Sequence, residues 1–339
     1  MFTLVNSVNL NNFLEIMTHL LYKKSNTDSE LDSISDSEGI KIMGLISLCH
    51  PDQKKSCGAC CGLYNWEDNS RKTLTELMRK RREVYQKVVV GDTKLVNPES
   101  IAPESIDIMA LKRGLQEISP PKVLFDGIHN CPFVGFIDDN NKRVGCMIHP
   151  VNNGGVELRD ISFYGAELCN GHECPSFQSL TLREKEAVSM IIDDWYLYGL
   201  VITDIDLVKE FFTIAANRIG EEIDPEWVLD PRVKVAALNF FRLKETWPFA
   251  KKENRFGKYS FSKAEYNIER EVAKGRFNIP PSPYEKIFLS LASDFKLKGE
   301  ASRADEIIDR LISDFIQACE LAGFVDLSGG GLLGIIVGG

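Results

Sequence analysis

Apolar positions along this chain change their rhythm near residue 180. Beyond it the period is helical: Thr181 with Glu184 makes a capping box, and Ala187, Ile191, Trp195 and Tyr198 continue it as an apolar stripe. Asp230 and Pro231 open a further helix through Val233, Ala237, Phe240 and Phe241, because proline at the first helical position gives up an N–H that has no partner there anyway. Ser282, Pro283 and Glu285 repeat this grammar, and a last helix is predicted from about Ser302 to Ala322, stopped by Gly323. Before residue 180 the pattern is broken by Pro, Gly and Asn into short runs. The exceptions are "RKTLTELMRKRREVYQK", where Leu74, Leu77, Met78, Arg81 and Tyr85 share one helical face, and "NCPFVGFIDDNNKRVGCMI", two β-prone runs around an Asp138 to Lys142 turn. The second predicts a β-hairpin with Cys131 and Cys146 at its outer ends.

These signals predict an α+β, mostly α chain: a loop-rich, cysteine-clustered module with a short β-hairpin over residues 40-179, then an all-helical bundle over residues 180-325. Residues 1-24 predict an amphipathic helix. Residues 25-39, "SNTDSELDSISDSEG", are too polar to bury surface and read as a flexible linker. Residues 326-339, with "LSGGGLLGIIVGG", read as a Gly-rich apolar tail that folding does not need. There is no internal repeat.

Composition removes several function classes. At 339 residues and 44% hydrophobic content the chain can build its core without disulfide staples. A net charge of −9 argues against a nucleic-acid binder, since phosphate neutralisation needs a basic surface. No stretch approaches the roughly 20 apolar residues of a membrane span. The start, "MFTLVNSVNLNNFLEIMTHLLYKK", lacks the basic end and unbroken apolar run of a signal peptide, which predicts a cytoplasmic protein with reduced thiols.

The candidate chemistry lies in the cysteines. Eight of the nine, and four of the five histidines, fall within residues 40-179. Cys49, Cys57, Cys60 and Cys61 stand in "CHPDQKKSCGACCG", where a C-x-x-C turn aims thiolates at one ion about 2.3 Å away and Gly58 and Gly62 suit the turn. Adjacent Cys60 and Cys61 either sit in a distorted turn or serve two metal centres. The hairpin pair Cys131 and Cys146 forms a second group, and Cys169 and Cys174 in "CNGHEC" a third. Together they supply the thiols of two Cys₄ sites, or of an iron-sulfur cluster such as a 4Fe-4S centre with a supporting zinc. His50, His149 and His172 lie within three residues of candidate ligands and could replace a thiol or hydrogen-bond to one. His129 carries no stronger signal, and His19 is unrelated. Cys319, on the apolar face of the last helix with Ile308, Leu311 and Phe315, reads as a packing residue.

A C-x(n)-C-x-x-C-C block, a Cys-Pro, a further Cys after a short hairpin and a closing Cys pair resemble the zinc- or iron-chelating CxxCxxCC family, which includes the flagellin lysine-N-methylases. The matching residues are Cys49, Cys57, Cys60, Cys61, Cys131 with Pro132, Cys146, Cys169 and Cys174. The resemblance implies zinc or iron held by these eight thiols. The first reading is therefore a cytoplasmic metal-binding protein whose helical half offers a surface to an unknown protein partner or substrate. It also implies, as a second reading, a lysine-N-methylase-like enzyme; that would need a methyl donor, and no GxGxxG-type loop follows a strand here. A third reading is a binding module for an anionic partner through Arg71, Lys72, Arg79, Lys80 and Arg82.

Overall fold

A computed structural model describes residues 47–52, 54–90, 107–153, 155–172, 174–251, 260–261, 266–267 and 281–325, all within one compact unit, Ile46–Gly339. The expected amphipathic helix, linker and tail, residues 1-24, 25-39 and 326-339, lie outside the described residues. The described residues are mostly helical.

Helix α1 (Arg71–Tyr85) starts where the Ser70 side chain accepts from the Thr73 N–H, and it buries Leu74, Leu77, Met78, Arg81 and Tyr85, the face expected from their spacing. Helix α2 (Ile108–Gln116) packs beside it through Leu111 and Leu115. Strands β1 (Val134–Phe136) and β2 (Val144–Cys146) pair antiparallel, with Val134 opposite Cys146 and Phe136 opposite Val144. Asp138 closes the hairpin by accepting from the N–H groups of Lys142 (3.0 Å) and Arg143 (2.8 Å), while Asn141 takes φ 55°. α1 lies against β1, so an apolar stripe and a short strand form one small core.

Two short helices follow, α3 (Gly165–Gly171) and α4 (Pro175–Ser179), and then the larger helical assembly. α5 (Leu182–Ile191) opens with the complete Thr181/Glu184 capping box. The stripe expected to run on to Tyr198 is not one helix: Asp194 accepts from the N–H groups of Tyr196 (3.0 Å) and Leu197 (3.1 Å) and starts a separate α6 (Trp195–Ile202). An aspartate offers an unbonded helix start more than it offers a helix interior. α7 (Ile205–Ile219), α8 (Pro231–Phe241, capped by Asp230), α9 (Leu243–Thr246), α10 (Glu285–Ser290) and α11 (Glu300–Leu321) complete the set, and Gly323 ends α11 at φ 78°.

The second half is not purely helical, contrary to expectation. Trp247, with ψ 116°, leaves the helical region ahead of Pro248; beyond it Ser260–Phe261 pairs antiparallel with Tyr266–Asn267, and Ala250 bridges to Ser293.

Every residue of α6 is buried, and the helix divides its side chains between two cores. Leu197, Tyr198, Val201 and Ile202 join the helical core; Trp195, Tyr196 and Leu200 join the core of α1 and the hairpin. Gly199 permits this close approach: a Cβ there would lie 2.1 Å from the Tyr64 hydroxyl, which donates to the Tyr196 carbonyl at 3.0 Å. No helix among the described residues is long and apolar enough to cross a membrane.

Candidate metal centre

The thiol-bearing turn is built from backbone bonds. Cys57 N–H donates to the Cys49 carbonyl (2.9 Å), Ala59–Cys61 forms one 3₁₀ turn closed by Gly62 N–H on the Ala59 carbonyl (2.9 Å), and Cys131 N–H donates to the Cys61 carbonyl (2.9 Å). Gly62 is required: its φ is 79°, and a Cβ would stand 2.5 Å from the His129 carbonyl oxygen. Asn65 and Asn130 lock the return path. Asn65 Nδ2 donates to the carbonyls of Phe125 (3.0 Å) and Ile128 (3.1 Å) and to Asn130 Oδ1 (2.7 Å), and Asn130 Nδ2 donates to the Gly62 and Asn65 carbonyls, both at 3.1 Å. Ser56 adds a bond from its hydroxyl to the Val144 carbonyl on β2.

All eight thiols are free, and most of their electrostatic neighbours divide them into two sets, with Cys49 also acting on Cys61 across the division. Cys60 and Cys174 share a thiol–thiol hydrogen bond, which holds Cys174 below the usual thiol range while Cys60 is pushed above it. Cys49, although the residue keeps an open edge, has its thiol pushed up to about 11, by burial first and then by Cys174. Burial, followed by Cys49, raises Cys57. In the other set, burial and then Cys131 and Cys146 raise Cys61, and burial and then Cys131 push Cys146 up to about 12. Cys131 is raised by burial first, with Cys169 adding to the rise. Apolar packing follows the same division: Cys174 lies in the helical core with Cys60 against it, Cys131 lies in the hairpin core with Cys61 and Cys146 against it, and Cys57 touches both.

The groups expected from sequence are thus regrouped. The two cysteines of "CNGHEC" have different neighbours: Cys169, exposed on α3, acts on the hairpin thiols, and Cys174, buried at the start of α4, lies beside Cys60. Among the described residues no three His, Cys, Asp or Glu side chains stand close enough as placed to hold an ion, so the thiols are neighbours without being drawn in to one point. The donor set nevertheless fits a soft cation. Within each set most thiols raise one another by repulsion between their thiolate forms, and a divalent cation in their midst reverses that sign.

The histidines take other positions. His50 and His149 lie with ring centroids 6.3 Å apart, and His50 is lowered to about 4 by burial, Arg143 and His149. His149 Nδ1 accepts from the Val151 N–H at 3.2 Å, starting a 3₁₀ turn. His129 stacks on Phe163 at 4.5 Å, and its buried Nε2 has no hydrogen-bond partner among the described residues. His172 is exposed.

Sequence reading missed the buried cations beside the thiols. Arg81 donates from Nη1 to the carbonyls of Cys131 (3.1 Å) and Val134 (2.9 Å), Arg159 pairs with Glu157, and Lys55 is fully buried, bonded to Asp52 and 5.4 Å from the centroid of the Tyr198 ring. Arg81 was legible as part of a buried stripe, and an arginine in an apolar stripe signals an internal acceptor. Among the cations of the third reading, Arg71 is shared by Asp194 and Glu245, Lys80 pairs with Glu76, and Arg82 pairs with Asp139. No known family, curated protein or solved structure matches the chain.

Proposed function

We propose that this chain is a cytoplasmic metal-binding protein in which Cys49, Cys57, Cys60, Cys61, Cys131, Cys146, Cys169 and Cys174 hold zinc or iron as thiolates, in the manner of the CxxCxxCC family it resembles. One observation carries the reading: free cysteines from distant chain segments become neighbours around one 3₁₀ turn, with Cys57 N–H bonded to the Cys49 carbonyl, Cys131 N–H bonded to the Cys61 carbonyl and Cys60 beside Cys174. Packing alone gives no reason to collect so many thiols, and their all-sulfur donor set selects zinc, iron or another soft ion over calcium or magnesium. The metal would tie the 49–61 loop, the hairpin and the α3–α4 segment together, and the helical half would be left to present a surface to a protein partner or substrate. Net charge speaks against nucleic acid as that partner.

The test is anaerobic purification of the full chain followed by elemental analysis and an absorption spectrum. At least one equivalent of zinc plus iron is expected, with visible absorption if the iron is in a sulfide cluster. Less than one equivalent after gentle handling would sink the reading.

A further inference from the structure

Resting on that metal-binding reading, we propose that the eight thiols form two separate four-sulfur sites. Cys49, Cys57, Cys60 and Cys174 take one thiophilic cation, and Cys61, Cys131, Cys146 and Cys169 take a second.

The adjacency of Cys60 and Cys61 is the key. They are consecutive in the Ala59–Cys61 3₁₀ turn, where each residue is rotated about 120° from the last, so neighbouring side chains leave in different directions. The backbone then brings different partners to the two ends of the turn. Ahead of it Cys57 N–H is bonded to the Cys49 carbonyl (2.9 Å), and at its end the Cys61 carbonyl accepts from Cys131 N–H (2.9 Å). β2 brings Cys146 opposite Val134, three residues beyond Cys131. The apolar surroundings are also distinct, since Cys60 and Cys174 belong to the helical core and Cys61, Cys131 and Cys146 to the hairpin core.

Ligand arithmetic agrees with this division. A tetrahedral zinc takes four protein donors, and a single ion cannot use eight. Four thiolates on a divalent cation leave two negative charges, and each set has buried cations of its own. Arg81 and Arg159 stand beside the hairpin set, and Arg81 bonds there to carbonyl groups. Lys55 lies under Tyr198, the ring that also faces Cys57, Cys49 and Cys174. Only four residues lie between Cys169 and Cys174 in sequence, yet Cys169 sits on α3 near the hairpin thiols and Cys174 stands at the start of α4 beside Cys60. The peptide joining Cys60 to Cys61 becomes the shared wall between the two centres.

The experiment loads the metal-free, reduced full chain with Co²⁺ and follows the sulfur-to-cobalt charge-transfer band together with native mass. Wild type is expected to bind two equivalents, each with the intensity of a four-thiolate site. The pair Cys49→Ser with Cys60→Ser should keep one equivalent, as should Cys61→Ser with Cys169→Ser, and all four changes together should leave none. Saturation of wild type at one equivalent would overturn the division while leaving the metal-binding reading intact; this measurement needs no variant, so a variant that fails to fold does not remove the test. Loss of both equivalents in either pair, with the helical circular dichroism unchanged, would also overturn it. No cobalt bound by wild type would end the metal-binding reading itself.

Discussion

In the helical core Phe211 stacks on Phe240 at 4.5 Å and meets Phe315 at 5.0 Å, and α11 lies along α7 and α8 with Ile308, Ile312 and Phe315 fully buried. In the cysteine region the strands are three residues long, the central turn is three residues long, and polar side chains such as Asn65, Asn130 and Arg81 join the pieces. Long amphipathic helices bury enough apolar surface to hold themselves together, at about 25 cal/mol per Å². Two three-residue strands do not; an isolated two-stranded hairpin is marginal in water. The contrast teaches where an external cross-link would matter. One region is completed by packing, and the other is pre-arranged by side-chain bonds that leave its thiols neighbours without drawing them to one point.

Metal removal should break this comparison most sharply. Structural thiolate sites contribute on the order of 10 kcal/mol of folding free energy. A strong chelator under reducing conditions is therefore expected to release the hydrogen-exchange protection of residues 57–66, 131–148 and 158–176, while α5–α8 and α11 keep theirs. Equal protection before and after chelation would mean that packing alone holds the cysteine region.

The same contrast governs what could be read from sequence. Helix periodicity is a local signal, so the buried face of α1, the Thr181 capping box and the Gly323 stop were all legible. The break between α5 and α6 was not, because Asp193 and Asp194 interrupt a stripe whose apolar spacing continues across them. The hairpin was legible from its turn residues. Which thiols face one another was hidden: it depends on backbone bonds between residues far apart, such as Cys131 to Cys61, and on Cys169 and Cys174 belonging to two different short helices, α3 and the start of α4. Sequence spacing alone groups the last two together, and the three-dimensional path separates them.

The second largest effect belongs to the helical half. Lys244 donates to Asp204 at 2.7 Å and to the Ser290 carbonyl at 2.8 Å, Ser290 Oγ donates to Asp204 at 2.8 Å, and Asp204 also accepts from the Leu207 N–H at the start of α7. All three residues are buried. Asp204→Ala removes the buried carboxylate that Lys244, Ser290 and the Leu207 N–H all bond, and a loss of about 3–5 kcal/mol in urea unfolding is expected, with metal content per folded chain unchanged. A loss under 1 kcal/mol would show that water reaches this network.

Arg81→Met sharpens the comparison from the other side. It keeps the apolar stem in the α1 stripe and removes the donors to the Cys131 and Val134 carbonyls. Unfolding should become easier by on the order of 2 kcal/mol, since hydrogen bonds from a charged donor are worth about 1.5–3 kcal/mol. Cobalt affinity should fall at the Cys61, Cys131, Cys146 and Cys169 set and hold at the other. Equal weakening of both sets would mean that Arg81 supports the fold as a whole.

The smallest effect is expected at Cys319, and it separates cysteine as a ligand from cysteine as a packing residue. Its side chain is fully buried in the helical core, and burial comes first among the causes that push its thiol up to about 12. A thiol in that setting behaves as a small apolar group with a weak donor. Cys319→Ala removes one heavy atom from a packed helix face, and a change of about 1 kcal/mol in unfolding free energy is the ordinary outcome of such a substitution. Metal content should stay at the wild-type value, whereas Cys60→Ser and Cys61→Ser should each lower it. Metal loss from Cys319→Ala equal to that from the two turn variants would show that metal content reports on global folding, and the thiol sets would then have to be defined by spectroscopy of the bound ion alone.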